Sequence, residues 1–138
     1  MSDKTWKAVE RRVAEFWGTE RTPLSGGNSR HGTHSDTLHP RVYIEMKHGG
    51  GCPTGWPGIV SLFQETEEKA ALEKKRAVLI LHRKGQSRVG QYDTYLRIPV
   101  YVTGREACRT DREVVCVPQE MARRIVLGED PKTEAGKG

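Results

Sequence analysis

Apolar residues at Trp6, Val9, Val13 and Phe16 recur three and four positions apart, the spacing that collects side chains along one side of an α-helix. A helix over 4–17 follows, with Ser2 or Asp3 available as its N-cap and Gly18 placed to end it. Glu10 lies four residues after Trp6 and three before Val13, so it shares the apolar side. A carboxylate buried there needs a cation or a metal to offset its lost hydration.

A short strand is predicted over 19–24, broken by Ser25-Gly26-Gly27, and a polar, basic loop over 28–35. Then comes Asp36, a turn at His39-Pro40, and the apolar strand Val42-Tyr43-Ile44-Glu45-Met46-Lys47. Strand side chains alternate, so Glu45 and Lys47 share one face while Ile44 and Met46 take the other and can pack on a core. The turn folds Asp36 back beside Glu45.

Downstream, a Gly- and Pro-rich loop leads to Pro57, which opens a second helix over 58–75. Ile59, Leu62, Phe63, Thr66 and Ala70 form its core stripe, and Glu65, Lys69 and Glu73 pair on its exposed side. The unbroken apolar run 77–82 predicts a central strand covered on both faces. Further strands are expected over 92–103, where Pro99 marks an edge or bulge, and over 113–117, followed by a helix over 119–127. The small, charged segment 128–138 is expected to be disordered. This order predicts an α/β fold, a mixed central sheet flanked by helices, as one domain over 1–127.

The 138 residues suit a single core, and 23 Lys and Arg against 18 Asp and Glu leave a net charge of +5. That balance favours a polyanionic partner, nucleic acid first. No apolar run approaches the roughly 20 residues of a membrane span, and the first residues lack an apolar signal core. A soluble, intracellular protein with no membrane partner is expected, in the cytoplasm. Three cysteines without a C-x-x-C pair argue against a disulfide framework. His31, His34, His39, His48 and Cys52 lack the spacing of a zinc motif.

Two carboxylates and a lysine gathered at Asp36, Glu45 and Lys47 could hold a divalent metal and act on a phosphodiester. On spacing alone, a surface hairpin with an ordinary cross-strand charge pair accounts for them equally well. Glu10 alone could simply pair with Arg11 or Arg12.

Taken in order, Glu10, Asp36 and Glu45-Met46-Lys47 resemble the PD-(D/E)XK nucleases, and within them the archaeal-type and phage Holliday-junction resolvases. The likeness starts at Ala8-Val9-Glu10-Arg11 and passes through Pro23-Leu24-Ser25-Gly26 to Tyr43-Ile44-Glu45-Met46-Lys47. It covers roughly residues 4–85 and is faint beyond. Ser35-Asp36 stands where the superfamily often has Pro-Asp, and the loop after Lys47 is unusually rich in Gly and Pro. The resemblance implies a restriction-endonuclease-like αβββαβ core and a Mg²⁺-dependent endonuclease, with Mn²⁺ able to substitute. Asp36 and Glu45 would be direct ligands together with the Met46 carbonyl, and Glu10 a ligand or one water removed. Lys47 would orient or deprotonate the attacking water, or stabilise developing charge. Ser25, Arg11, Arg30, Arg41 and His48 would contact DNA phosphates. The implied partner is a four-way DNA junction, cut by a homodimer, in the host cytoplasm if the chain is phage-encoded. The alternatives are another nuclease of the superfamily, restriction-like or flap-cleaving, and a non-catalytic DNA-binding protein of the same fold.

Overall fold

The computed structural model describes residues 2–23, 35–99 and 112–128. Over them the chain runs α1 (Ser2–Phe16), β1 (Val42–His48), α2 (Trp56–Leu72), β2 (Arg76–His82), β3 (Asp93–Pro99), β4 (Arg112–Pro118) and α3 (Gln119–Leu127). The strands form one mixed sheet in the order β1-β2-β3-β4. β1 and β2 are parallel, since α2 carries the chain back across the sheet, and the two later pairs are antiparallel. The architecture is thus mixed α/β, as the element order predicts.

Alternation along the strands builds two cores. Ile44, Met46, Val78, Ile80, Tyr92 and Leu96 meet Val9, Val13 and Trp17 of the α1 segment and Ala122 of α3. Tyr43, Leu79, Leu81 and Tyr95 face the other way, onto Ile59, Phe63 and Ala70 of α2. The apolar run in β2 is covered on both faces, as its composition requires. β1 is also packed on both faces, because fully buried Tyr43 precedes Glu45 and Lys47 on their side.

In α1 the predicted stripe holds, with Val9 and Val13 buried and Phe16 at the margin. Trp17 extends it past the last turn, and its Nε1 donates to Gln119 Oε1 of α3 at 2.7 Å, tying the two helices together. Gly18 takes φ +75°, the left-handed stop expected of it. α2 ends at Leu72, short of the predicted 75. Lys74 adopts φ 58°, and the amides of Lys74 and Lys75 donate back to Ala71 O (3.1 Å) and Ala70 O (2.9 Å), which closes the helix.

The strand predicted over 19–24 is reduced, within its described part, to one antiparallel bridge between Arg21 and Thr37. Pro23 has no N–H with which to extend the pairing. The end of the strand predicted over 92–103 and the tail from 129 lie outside the described residues. Among the described residues, no helix is long and apolar enough to cross a membrane.

Candidate functional site

The outer edge of β1 is occupied by the segment 35–38, pinned there by its first two residues. The buried Ser35 Oγ accepts from Ile44 N at 2.8 Å and donates to Ile44 O at 3.1 Å. Asp36 N donates to the same carbonyl at 2.8 Å, and Asp36 Oδ2 accepts from Met46 N at 2.8 Å. On its other side the segment is held by Thr22 N to Asp36 O (3.0 Å) and Leu38 N to Glu20 O (2.9 Å). His39 closes the turn, its Nδ1 accepting from the amides of Arg41 (3.0 Å) and Val42 (3.1 Å). Burial, then the charges of Arg41 and Lys75, push the His39 pKa down, which suits a ring nitrogen used as an acceptor. Asp36 is therefore folded back beside β1, as the turn residues predict.

Glu45 and Lys47 share the α2 side of β1, where Lys47 Nζ stands 3.6 Å from Glu45 Oε2. Burial raises the Glu45 pKa, the charges of Lys47 and Lys69 offset part of that, and Glu10 adds to it. Asp36 is displaced further. Burial first, then the negative charges of Glu45 and Glu10, push its carboxyl up to about 7, against the opposing pull of the Met46 amide and Lys47. The charge of Glu10 thus bears on both Asp36 and Glu45. Met46 itself points its side chain into the α1-side core, while its amide holds Asp36.

Glu10 is 8% exposed and sits on the packed side of α1 as expected. Its Oε1 accepts from Arg21 Nε at 2.7 Å, and its Oε2 lies 3.6 Å from His48 Nε2. The Arg21 guanidinium also lies over the Trp6 ring, 5.8 Å from its centroid. In the sequence Arg21 is one cation among several, and its ion pair depends on the bridge that brings 21 against 37. Arg11 and Arg12 are both exposed, and it is Arg21 that pairs with this carboxylate. Arg11 lines a cavity of about 320 Å³ with Glu15, Thr19, Glu20, Arg21 and Pro23. Of the other expected phosphate contacts, Arg41 is exposed at the opposite end of β1 from Lys47. His48 turns its ring inward, toward Glu10, Trp6 and His82. Ser25 and Arg30 lie outside the described residues, as do His31 and His34. His39 and His48 stand at opposite ends of β1, and Cys52 directs its thiol at the Lys47 and His82 carbonyls.

Among the described residues, no three His, Cys, Asp or Glu side chains stand as a group able to hold a metal between them. The fit to a divalent cation is one of charge. Asp36, raised first by burial and then by the charges of Glu45 and Glu10, and Glu45, raised by burial, are carboxylates of the kind a hard divalent ion takes. Magnesium prefers oxygen ligands, keeps several waters and binds through one or two carboxylates, so a pair of acids rather than a trio is what such an ion would need. Compared with protein-family models, curated proteins and solved structures, the chain matches none.

Proposed function

We propose that this chain is a Mg²⁺-dependent endonuclease of the PD-(D/E)XK kind that resolves four-way DNA junctions as a homodimer. The observation that supports this best is the position of Asp36, folded back against β1 with its Oδ2 on Met46 N, beside the strand that carries the Glu45–Lys47 pair at the edge of the sheet. The element order is compatible with an αβββαβ core, with the paired segments around Arg21 and Thr37 standing for its first two strands ahead of β1, α2 and β2.

In that reading Asp36, Glu45 and the Met46 carbonyl hold Mg²⁺, with Mn²⁺ able to substitute. The ion, when bound, offsets phosphate charge and makes water more acidic. Lys47, whose side chain is 39% exposed, stands beside Glu45 where it can orient the attacking water or stabilise charge on the phosphate. Arg11, at the cavity by α1, offers a contact to the DNA backbone. Two copies related by a two-fold axis present two such sites, as two cuts across a branch require.

Asp36→Ala, Glu45→Ala and Lys47→Ala are each expected to reduce cleavage of a labelled four-way junction by at least about 100-fold. Junction binding in a gel-shift assay should stay within a few-fold of wild type. A variant that cuts undiminished removes its residue from the mechanism. Equal cleavage of a flap or a linear duplex replaces the junction reading with that of a more general nuclease.

A further inference from the structure

Of the three tryptophans, Trp17 is buried, Trp6 is half-buried, and Trp56, the first residue of α2, is 50% exposed. The loop that presents it is anchored from below. Cys52 directs its thiol at the Lys47 and His82 carbonyls, at 3.5 and 3.8 Å, which seats the loop across the ends of β1 and β2. Arg83 Nη1 donates to Pro53 O at 3.3 Å, while its Nε holds Asp93 Oδ2 at 3.2 Å. Gly58 packs so closely that a Cβ there would stand 3.3 Å from Pro53 Cβ. Asp93 and Tyr95 share a face of β3, and the Trp56 ring rests against Tyr95, at 6.1 Å between centroids and tilted by 45°. An indole held this way, yet half in water, forgoes burial in the free chain and has little freedom left to lose on binding.

We propose that Trp56 is a stacking platform for an unpaired base of a single-stranded nucleic acid. Its surroundings decide among partners. A protein or a membrane takes a contiguous apolar area, and Trp56 has none around it. Among the described residues, the other large apolar side chains left exposed are Leu72, at the far end of α2, and Met121 and Ile125, on α3 across the sheet. What surrounds the indole is basic. The segments 48–64 and 82–92 meet at this end of the sheet and contain no Asp or Glu, and Lys84 and Arg88 stand exposed in the second. Lys47 and Arg83, by contrast, are matched by Glu45 and Asp93. A lone aromatic face among unmatched cations suits a strand that carries both free bases and phosphates. A duplex, whose bases are already paired and stacked, offers the indole no face. Such binding needs neither a cut nor a metal, so it does not rest on the chemistry proposed above.

The test is fluorescence anisotropy of a labelled oligo(dT) of about 15 nucleotides, the upper end of a single site size, titrated with the full chain in EDTA. Tm is measured for every variant. Trp56→Ala and Trp56→Leu are expected to weaken binding about 5–150-fold, the second because it keeps apolar area without a ring. Trp56→Tyr, which keeps a ring, should stay within about threefold of wild type. Affinity for a blunt duplex of the same length should move by less than about twofold in all three, since phosphate contacts alone hold it. A parallel series with oligo(rU) assigns the strand as DNA or RNA, the loss in Trp56→Ala being read on whichever binds. Absent binding of both strands by wild type, wild-type affinity in Trp56→Ala or Trp56→Leu, or an equal loss on the duplex overturns the proposal. Wild-type affinity in Trp56→Ala together with loss of a dimer in sedimentation gives the indole to a second copy of the chain instead. Failure of junction cleavage leaves these results untouched, so the two readings fall separately.

Discussion

At Asp36, fold and charge pull in opposite directions. Its Oδ2 takes the Met46 amide, a bond that favours the ionised form, yet burial and two neighbouring acids raise its pKa from 3.8 to about 7. Between those values the native chain binds more protons than the unfolded chain, so stability falls as pH rises through the window. At about 1.4 kcal/mol per pH unit the effect is at most a few kcal/mol. Glu45, also raised, acts in the same direction. In the presence of a chelator, wild-type Tm should therefore fall from pH 5 to pH 8. Asp36→Asn keeps an oxygen for Met46 N without the charge; it should show a flatter profile and a higher Tm than wild type at pH 8. Parallel profiles for the two proteins would contradict this. Among single residues, the facing of Glu45 and Lys47 was legible because strand alternation is a local rule. The roles of Ser35 and Arg21 were not. Each depends on a partner brought across a turn, Ile44 for the one and Glu10 for the other.

Elements were more legible than residues wherever a period ran unbroken. α3 matches its predicted span of 119–127, and β2 lies within a residue of its apolar run. α2 was drawn too long because its left-handed closing residue is Lys74, and a lysine carries no such signal. The strand over 19–24 failed for a related reason, since β-propensity says nothing of a proline's missing donor until a pairing partner is known. Two predictions belong at this scale, both read from urea denaturation. Trp17→Phe removes the donor to Gln119 at the α1–α3 contact and should cost about 1–3 kcal/mol. A loss near zero would mean that the indole bond does not tie the helices. Gly18→Ala meets nothing within 4 Å, so a cost of roughly 1–2 kcal/mol would come from its φ of +75° alone. Leu72→Ser, at an 85% exposed position, should stay within about 0.5 kcal/mol of wild type as the control for both.

For the whole molecule, the +5 charge and the edge placement of the acids make separate contributions to the proposed activity. Charge supplies affinity for a polyanion whatever its sequence, so the logarithm of junction binding should fall linearly with the logarithm of salt. Arg11→Ala should make that slope shallower by about 1 if Arg11 contacts a phosphate; an unchanged slope would remove it from the interface. Edge placement leaves Asp36 on the outer side of β1, between the sheet and the segment around Arg21. Much of that arrangement was absent from any local pattern. Which strand neighbours which follows from the α2 crossover, and the approach of Glu10 follows from α1 docking through Val9 and Val13. The measurement that bears most directly on the account is denaturing-gel mapping of cuts in a four-way junction labelled on each strand in turn. With Mg²⁺, two nicks placed symmetrically across the branch are expected, and none with EDTA or with Asp36→Asn. Intact strands at every Mg²⁺ and Mn²⁺ concentration, or the same nicks in EDTA, would contradict it.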